Sequence, residues 1–218
     1  MNPTATMGLD EADAAKTSNP IRLFYLLAAL ILLAVTFAGF SEFYLRGRAV
    51  GGRQISPRTL PLVITHGALM TAWIVLFTAQ PLLIVSRHRR WHMMLGRFGA
   101  VLAAAIFVAG IAIAIDSVRV RPDGHLWALT RKQFLAVSCS SMAKFLVFVA
   151  AGVLTRRRPE IHRSMMLLAT LSVVAAATDR IALLHFYQGG VWEHVVGPML
   201  PILILGALFL IVRWWLTP

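Results

Sequence analysis

The chain has 218 residues, 58% of them hydrophobic and only 14% charged, with a mean hydropathy of +0.73. Soluble domains run roughly 45–50% apolar and about 25% charged, and a fold of this size has too much surface to hide such an excess. A soluble enzyme, a disordered chain and a disulfide scaffold are excluded, which leaves an all-α polytopic membrane protein embedded in a lipid bilayer.

The basic excess, 21 Lys and Arg against 9 Asp and Glu for a net charge of +12, sits in short loops between apolar runs. There it orients a membrane chain and meets anionic headgroups. No basic face lies away from those boundaries, so nucleic acid is not an expected partner.

Residues 1–19 are polar, mildly acidic and without period, and they read as a disordered tail ahead of a transmembrane domain over 20–218. They lack the basic start and short apolar core of a signal peptide. A bilayer core of roughly 30 Å needs about 20 helical residues, and six runs qualify, at 21–45, 60–85, 94–116, 132–154, 163–186 and 195–214. They are continuous rather than alternating, so a β-barrel is excluded.

The second run carries His66, Trp73 and Gln80 at intervals of seven. At 100° per residue they drift only about 40° in all, so they share one face. That face is expected to point into the bundle, because lipid offers His66 and Gln80 no partner. The third run has Gly96, Gly99, Ala103 and Gly110 along nearly one side, a pattern that lets helix backbones approach closely.

The fourth run contains Cys139, which has no internal disulfide partner. It also contains Lys144, about 19 Å below the start of its helix by the helical rise and too deep to snorkel fully. Lys144 reads either as a proton carrier near Ser140 and Ser141 or as an ion-pair partner of Asp179. The fifth run ends with Asp179, Arg180 and His185, and His194 precedes the sixth.

Lys and Arg set the orientation. With the N-terminus inside, inner segments hold eleven and outer loops eight, and SRHRRWH and TRRRPEIHR are short, strongly basic inner turns. Both termini are therefore expected in the cytoplasm. RRWHMMLGRFGAVLA and RRPEIHRSMMLLATL form a weak internal repeat, each with a basic turn, then His92 or His162, then Met-Met-Leu.

Counting along the helices places His66, Ser138, Asp179 and Arg180 in one outer layer, roughly 10 Å below the boundary. Glu42, Asp116, His185 and His194 lie nearer the rim. Three chemistries suit that layer. His66 with His185 or His194 would serve as axial haem ligands. The same three histidines would instead bind copper or zinc, or His66 would hydrogen-bond Asp179 or a backbone carbonyl and hold helices together. His92 and His162 form an inner layer, either as a second ligand pair or as headgroup contacts. Met93, Met94, Met165 and Met166 stand beside them as ligands or as packing.

HGALMTAWIVLFTAQPLL, RRWHMMLGRFGAVLA and RRRPEIHRSMMLLATLSVVAAATDR together resemble a broad family of uncharacterised bacterial inner-membrane proteins with six helices. The likeness covers about residues 60–180. Members typically show a His…Trp…Gln helix, a basic turn into His-Arg-Arg-Leu-Gly, and a Pro-Glu-x-His-x-Arg-Leu-Met helix start. Here Met93 and Met94 replace the Arg pair, and Ser164 and Met165 replace Arg and Leu. The resemblance implies a six-helix fold in a bacterial cytoplasmic membrane and no particular activity. In helix count and histidine placement the chain is also similar to small haem-binding membrane cytochromes.

The expected function is a haem b electron carrier linked to quinone, with His66 and His185 at the outer site and His92 and His162 at the inner one. Arg180 would meet a haem propionate and Gln80 a quinone carbonyl. The alternatives are an accessory subunit of a larger membrane complex and a small proton-coupled transporter using Lys144, Asp179 and His66. The sequence has no phosphate-binding loop, serine-hydrolase signature or zinc-protease helix.

Overall fold

A computed structural model of the chain describes the backbone of residues 3–49, 52–120, 125–126, 129–185 and 200–216, with side chains over 20–49, 52–120, 129–181 and 201–216. Seven helices are described: α1 (Pro3–Gly39), α2 (Ser41–Arg46), α3 (Leu60–Val85), α4 (Arg89–Val120), α5 (Arg131–Leu154), α6 (Pro159–His185) and α7 (Leu200–Leu216). Five apolar segments are long enough to cross a membrane: Pro20–Gly39, Leu60–Val85, Arg89–Val120, Arg131–Leu154 and Pro159–Ile181. Large apolar side chains such as Val101, Val108, Val147 and Leu210 stand exposed around the outside. Length, composition and this outward apolar surface mark a multi-pass membrane protein.

Two expectations change. The backbone of residues 3–19, expected as a disordered tail, continues α1 as helix. The first apolar run does not reach residue 45 as one helix. It stops at Gly39, and α2 restarts after Phe40, whose φ of −107° and ψ of 15° leave the helical region. At the break Gly39 lies against the backbone of Ala177 in α6, closer than any Cβ would allow. Of the sixth run, 195–199 lie outside the described residues, and the described part is the apolar helix Pro201–Leu216. A small antiparallel ladder, β1 (His125–Leu126) with β2 (Leu129–Thr130), joins α4 to α5.

Local chemistry fixes the helix ends. Thr130 and Gln133 form a capping box at the start of α5, the Gln133 N–H donating to Thr130 Oγ1 and the Thr130 N–H to Gln133 Oε1 at 2.9 Å. α3 closes with a Schellman turn. His88 N–H donates to Leu83 O at 2.7 Å and Arg87 N–H to Ile84 O at 3.2 Å, with Arg87 left-handed at φ 63°. So short a connection forces α3 and α4 antiparallel, and the Thr155–Arg158 turn does the same for α5 and α6.

The long helices close a ring, α1 against α3, α3 against α4, α4 against α5, α5 against α6, and α6 back against α1. α7 lies outside it on the seam of α1 and α6, where Phe209 meets Phe24 edge-to-face at 6.0 Å. Trp73 fills the ring's axis at 2% exposure, packed with Ala103, Ile106, Phe145, Val149, Ala169 and Val173.

Gly39 supplies a direct test of the ring closure. Gly39→Ala should lower stability by about 1–3 kcal/mol, as overpacking against backbone does, whereas Gly96→Ala, facing open space, should be neutral or slightly stabilising. Unfolding of the purified variants in mixed detergent micelles measures both.

Candidate functional site

The heptad on α3 distributes its three polar residues along the axis. Trp73 donates its indole N–H to Thr170 Oγ1 at 3.3 Å, and Thr170 in turn donates to Met166 O at 3.0 Å. Phe145 packs edge-on to the indole at 4.9 Å. Seven residues toward one end stands His66, and seven toward the other stands Gln80. The shared inward face predicted from spacing is present.

The end that carries the two basic turns gathers a connected cluster. His92, at the first turn of α4, and His162, at the first turn of α6, meet edge-to-face with ring centroids 6.3 Å apart. His162 Nδ1 lies 2.8 Å from the carbonyl of Gly152 in α5. Gln80 reaches the same place from α3. Its neighbours assign the amide orientation: with the oxygen toward Gly96 N–H, 3.2 Å away, the nitrogen donates to His92 O at 3.2 Å and to His92 Nδ1. Four helices thus contribute, each through a helix-end residue.

These neighbours assign the imidazole tautomers. A carbonyl only accepts, so His162 carries its proton on Nδ1 and leaves Nε2 as a lone pair. Gln80 is oriented by Gly96 N–H and His92 O, so its NH₂ faces His92 Nδ1. That nitrogen is then the acceptor, and His92 carries its proton on Nε2. One imidazole offers a free N–H and the other a free lone pair. Both rings are half-buried.

The opposite end is less complete. His66 rests against α4 where Gly110 leaves room, beside Met142. Its Nδ1 is buried without a partner, as is Asp179 Oδ1. Arg180 lies near enough for its charge to act on His66, but its guanidinium is turned elsewhere. It donates to Ala176 O and stacks 4.3 Å from the centroid of the Phe40 ring. Asp116 accepts from Thr59 Oγ1 at 2.9 Å, which ties the α3 entry to the end of α4. Ser138 donates into its own helix, to Phe134 O at 3.1 Å, and so does not join this layer.

The remaining expected site residues are dispersed. Lys144 is exposed on the outside of α5, and neither an ion pair nor a hydrogen bond with Asp179 forms among the described residues. Lys144 faces away from the bundle while Asp179 lies within it, so the expected pairing is not made. His185 ends α6 with its side chain outside the described residues, and His194 lies outside them altogether. Met166 packs in the core beside Gly152, whereas Met93 and Met94 are exposed. Among the described residues, no group of three or more His, Cys, Asp or Glu converges as a metal cage.

Sequence reasoning identified Gln80, His92 and His162 but not the groups that orient them, Gly152 O and Gly96 N–H. Backbone groups carry no side-chain signal. Compared with protein-family models, curated proteins and solved structures, the chain matches none.

The tautomers are open to measurement. In ¹⁵N-histidine spectra of the bilayer-embedded protein, His92 should show protonated Nε2 and His162 protonated Nδ1, and Gln80→Leu should release only His92 from its assignment. Identical tautomers at both residues would contradict the geometry.

Proposed function

We propose that the chain is a six-span protein of a bacterial cytoplasmic membrane, both termini cytoplasmic, that works as a small proton-coupled transporter through the Gln80–His92–His162 cluster. The observation that carries this reading is the His92–His162 contact, ring centroids 6.3 Å apart, with Gly152 O beside Nδ1 of one ring and Gln80 beside Nδ1 of the other, partners that assign opposed tautomers. A water between the rings would accept from His92 Nε2–H and donate to His162 Nε2. An excess proton arriving there would land on His162 Nε2, while Gly152 O holds the Nδ1–H, and would leave toward the far side when the packed axis opens. Trp73, Ile106 and Phe145 close the axis beyond the cluster, which suits loading from one side rather than an open channel.

The basic turns at 86–92 and 155–163 share the end where the apolar part of α1 begins, and the density of Arg there favours the cytoplasmic side. α7 completes the sixth span in this reading. Its 17 residues reach about 26 Å by the helical rise, at the short limit for a bilayer core. A reporter fused after Pro218 should therefore be active in the cytoplasm, and activity only on the outer side would remove α7 from the spans.

Purified protein in vesicles holding a pH-sensitive dye, energised by a potassium diffusion potential, tests the transport reading. Wild type should acidify the lumen well above protein-free vesicles. His162→Ala should cut that flux at least about tenfold, in the range of lost proton-transfer groups, while Lys144→Met leaves it intact. Equal flux in wild type and His162→Ala ends the reading.

The ring separation also favours haem b as a second reading. Haem iron needs only two protein ligands, because the porphyrin supplies the other four, and here two imidazoles meet without a third donor residue. It demands lone pairs on both Nε2 atoms, so His92 would have to shift its proton to Nδ1 against Gln80. A strong Soret band with sharp reduced bands, lost in His162→Ala, would establish haem and displace the proton reading.

A further inference from the structure

Lys144 belongs to neither cluster. It stands 13 residues from the start of α5 and 10 from its end, roughly 20 Å and 15 Å along the helix axis. The opposite face of α5 buries Phe145, Val149 and Gly152 against the bundle. Lys144 lies on the outward face with Ala136, Ser140, Ala143, Val147 and Ala150, all exposed. No carboxylate, carbonyl or hydroxyl among the described residues meets its ammonium, and the nearby Ser140 hydroxyl donates to Val137 O at 2.8 Å. A lysine stem extends only about 6 Å, so the charge cannot reach either boundary by snorkelling.

We propose that this face of α5 docks a transmembrane helix of another protein that carries an Asp or Glu at mid-membrane depth. A cation in hydrocarbon needs a counter-charge from somewhere. Nothing in the described part of this chain supplies one at that depth. Glu42, Asp116 and Asp179 lie toward one end of the bundle and Glu160 at the other. A second copy fails for the same reason, and pairing two copies through α5 would set Lys144 against Lys144. The small side chains around Lys144 let a partner backbone come close enough for its carboxylate to reach the ammonium. This inference is independent of the proton reading, because Lys144 stands eight residues from Gly152, the α5 residue that meets the histidine cluster, about 12 Å along the helix axis.

The test uses the full-length protein, labelled with a donor fluorophore and reconstituted in vesicles with acceptor-labelled Leu-Ala transmembrane peptides. One peptide has a single central Asp and the control has Leu there. The Asp peptide should associate with wild type about tenfold more tightly than the control, the scale of a polar helix–helix contact in membranes. Lys144→Met should abolish the difference, and Lys144→Glu should transfer the preference to a peptide with a central Lys. Equal association of Asp and Leu peptides overturns the proposal, as does a preference that survives Lys144→Met. Protein-to-protein energy transfer that Lys144→Met removes would assign the face to a second copy and also overturn it. Should Lys144→Glu fail to insert, the Lys144→Met comparison decides alone, since that change relieves a charge in lipid.

Discussion

Hydrocarbon offers a polar group no hydrogen bond, so every polar side chain on a membrane helix must be answered from within the protein or from a neighbour. Trp73 shows how strongly this organises the bundle. Its indole N–H goes to Thr170, whose hydroxyl goes to the Met166 carbonyl, and the donor chain ends on an acceptor with nothing left over. Closing that chain brings α3 and α6 together across the ring, although they are not ring neighbours. Ile106 and Phe145, both at 0% exposure, fill what remains. With the axis sealed there, the other two residues of the α3 heptad must lie in separate compartments at either end.

The two compartments differ in how well they are satisfied. Around Gln80 both Nδ1 atoms have partners, Gln80 for His92 and Gly152 O for His162, and only the two Nε2 positions stay open. Paired on that side, the cluster has one proton placement on each imidazole. Around His66 a ring nitrogen and a carboxylate oxygen are buried unpartnered, a state whose desolvation cost is rarely left uncompensated. Arg180, the cation nearest in sequence to Asp179, is held instead by Phe40 at the α1–α2 break. Beside that break Gly39 lies against the backbone of Ala177, three residues before Arg180 in α6.

Much of this was legible beforehand, for physical reasons. The interval of seven places His66, Trp73 and Gln80 on one stripe whatever the tertiary structure, and the similarity of two basic helix starts predicts His92 and His162 at one level. Uninterrupted apolar length reveals the spans, with α3 beginning and ending where hydropathy puts it. The failures share a cause. When every face of a helix is apolar, periodicity cannot separate lipid from core, so the outward position of Lys144 was invisible. The stop at Gly39, the carbonyl that holds His162 and the ring that holds Arg180 are contacts between distant segments, and no local pattern encodes them.

Small residues illustrate the same ambiguity and its resolution. On α4, Gly99, Ala103 and Gly110 are small because Leu76, the Trp73 cluster and Met142 with His66 occupy the space beside them. Gly96 differs, for a Cβ there would meet open space, and only its backbone N–H faces Gln80. On α5, Ala136, Ser140, Ala143 and Ala150 repeat the small-residue pattern toward the outside, where nothing among the described residues fills the space. In water an exposed lysine among small residues would be unremarked surface. In a bilayer the logic inverts, because the outward face is the one that should be bulky and uncharged. A small and charged outward face departs from what lipid rewards in both size and charge, and a closely packed acidic helix removes both departures at once.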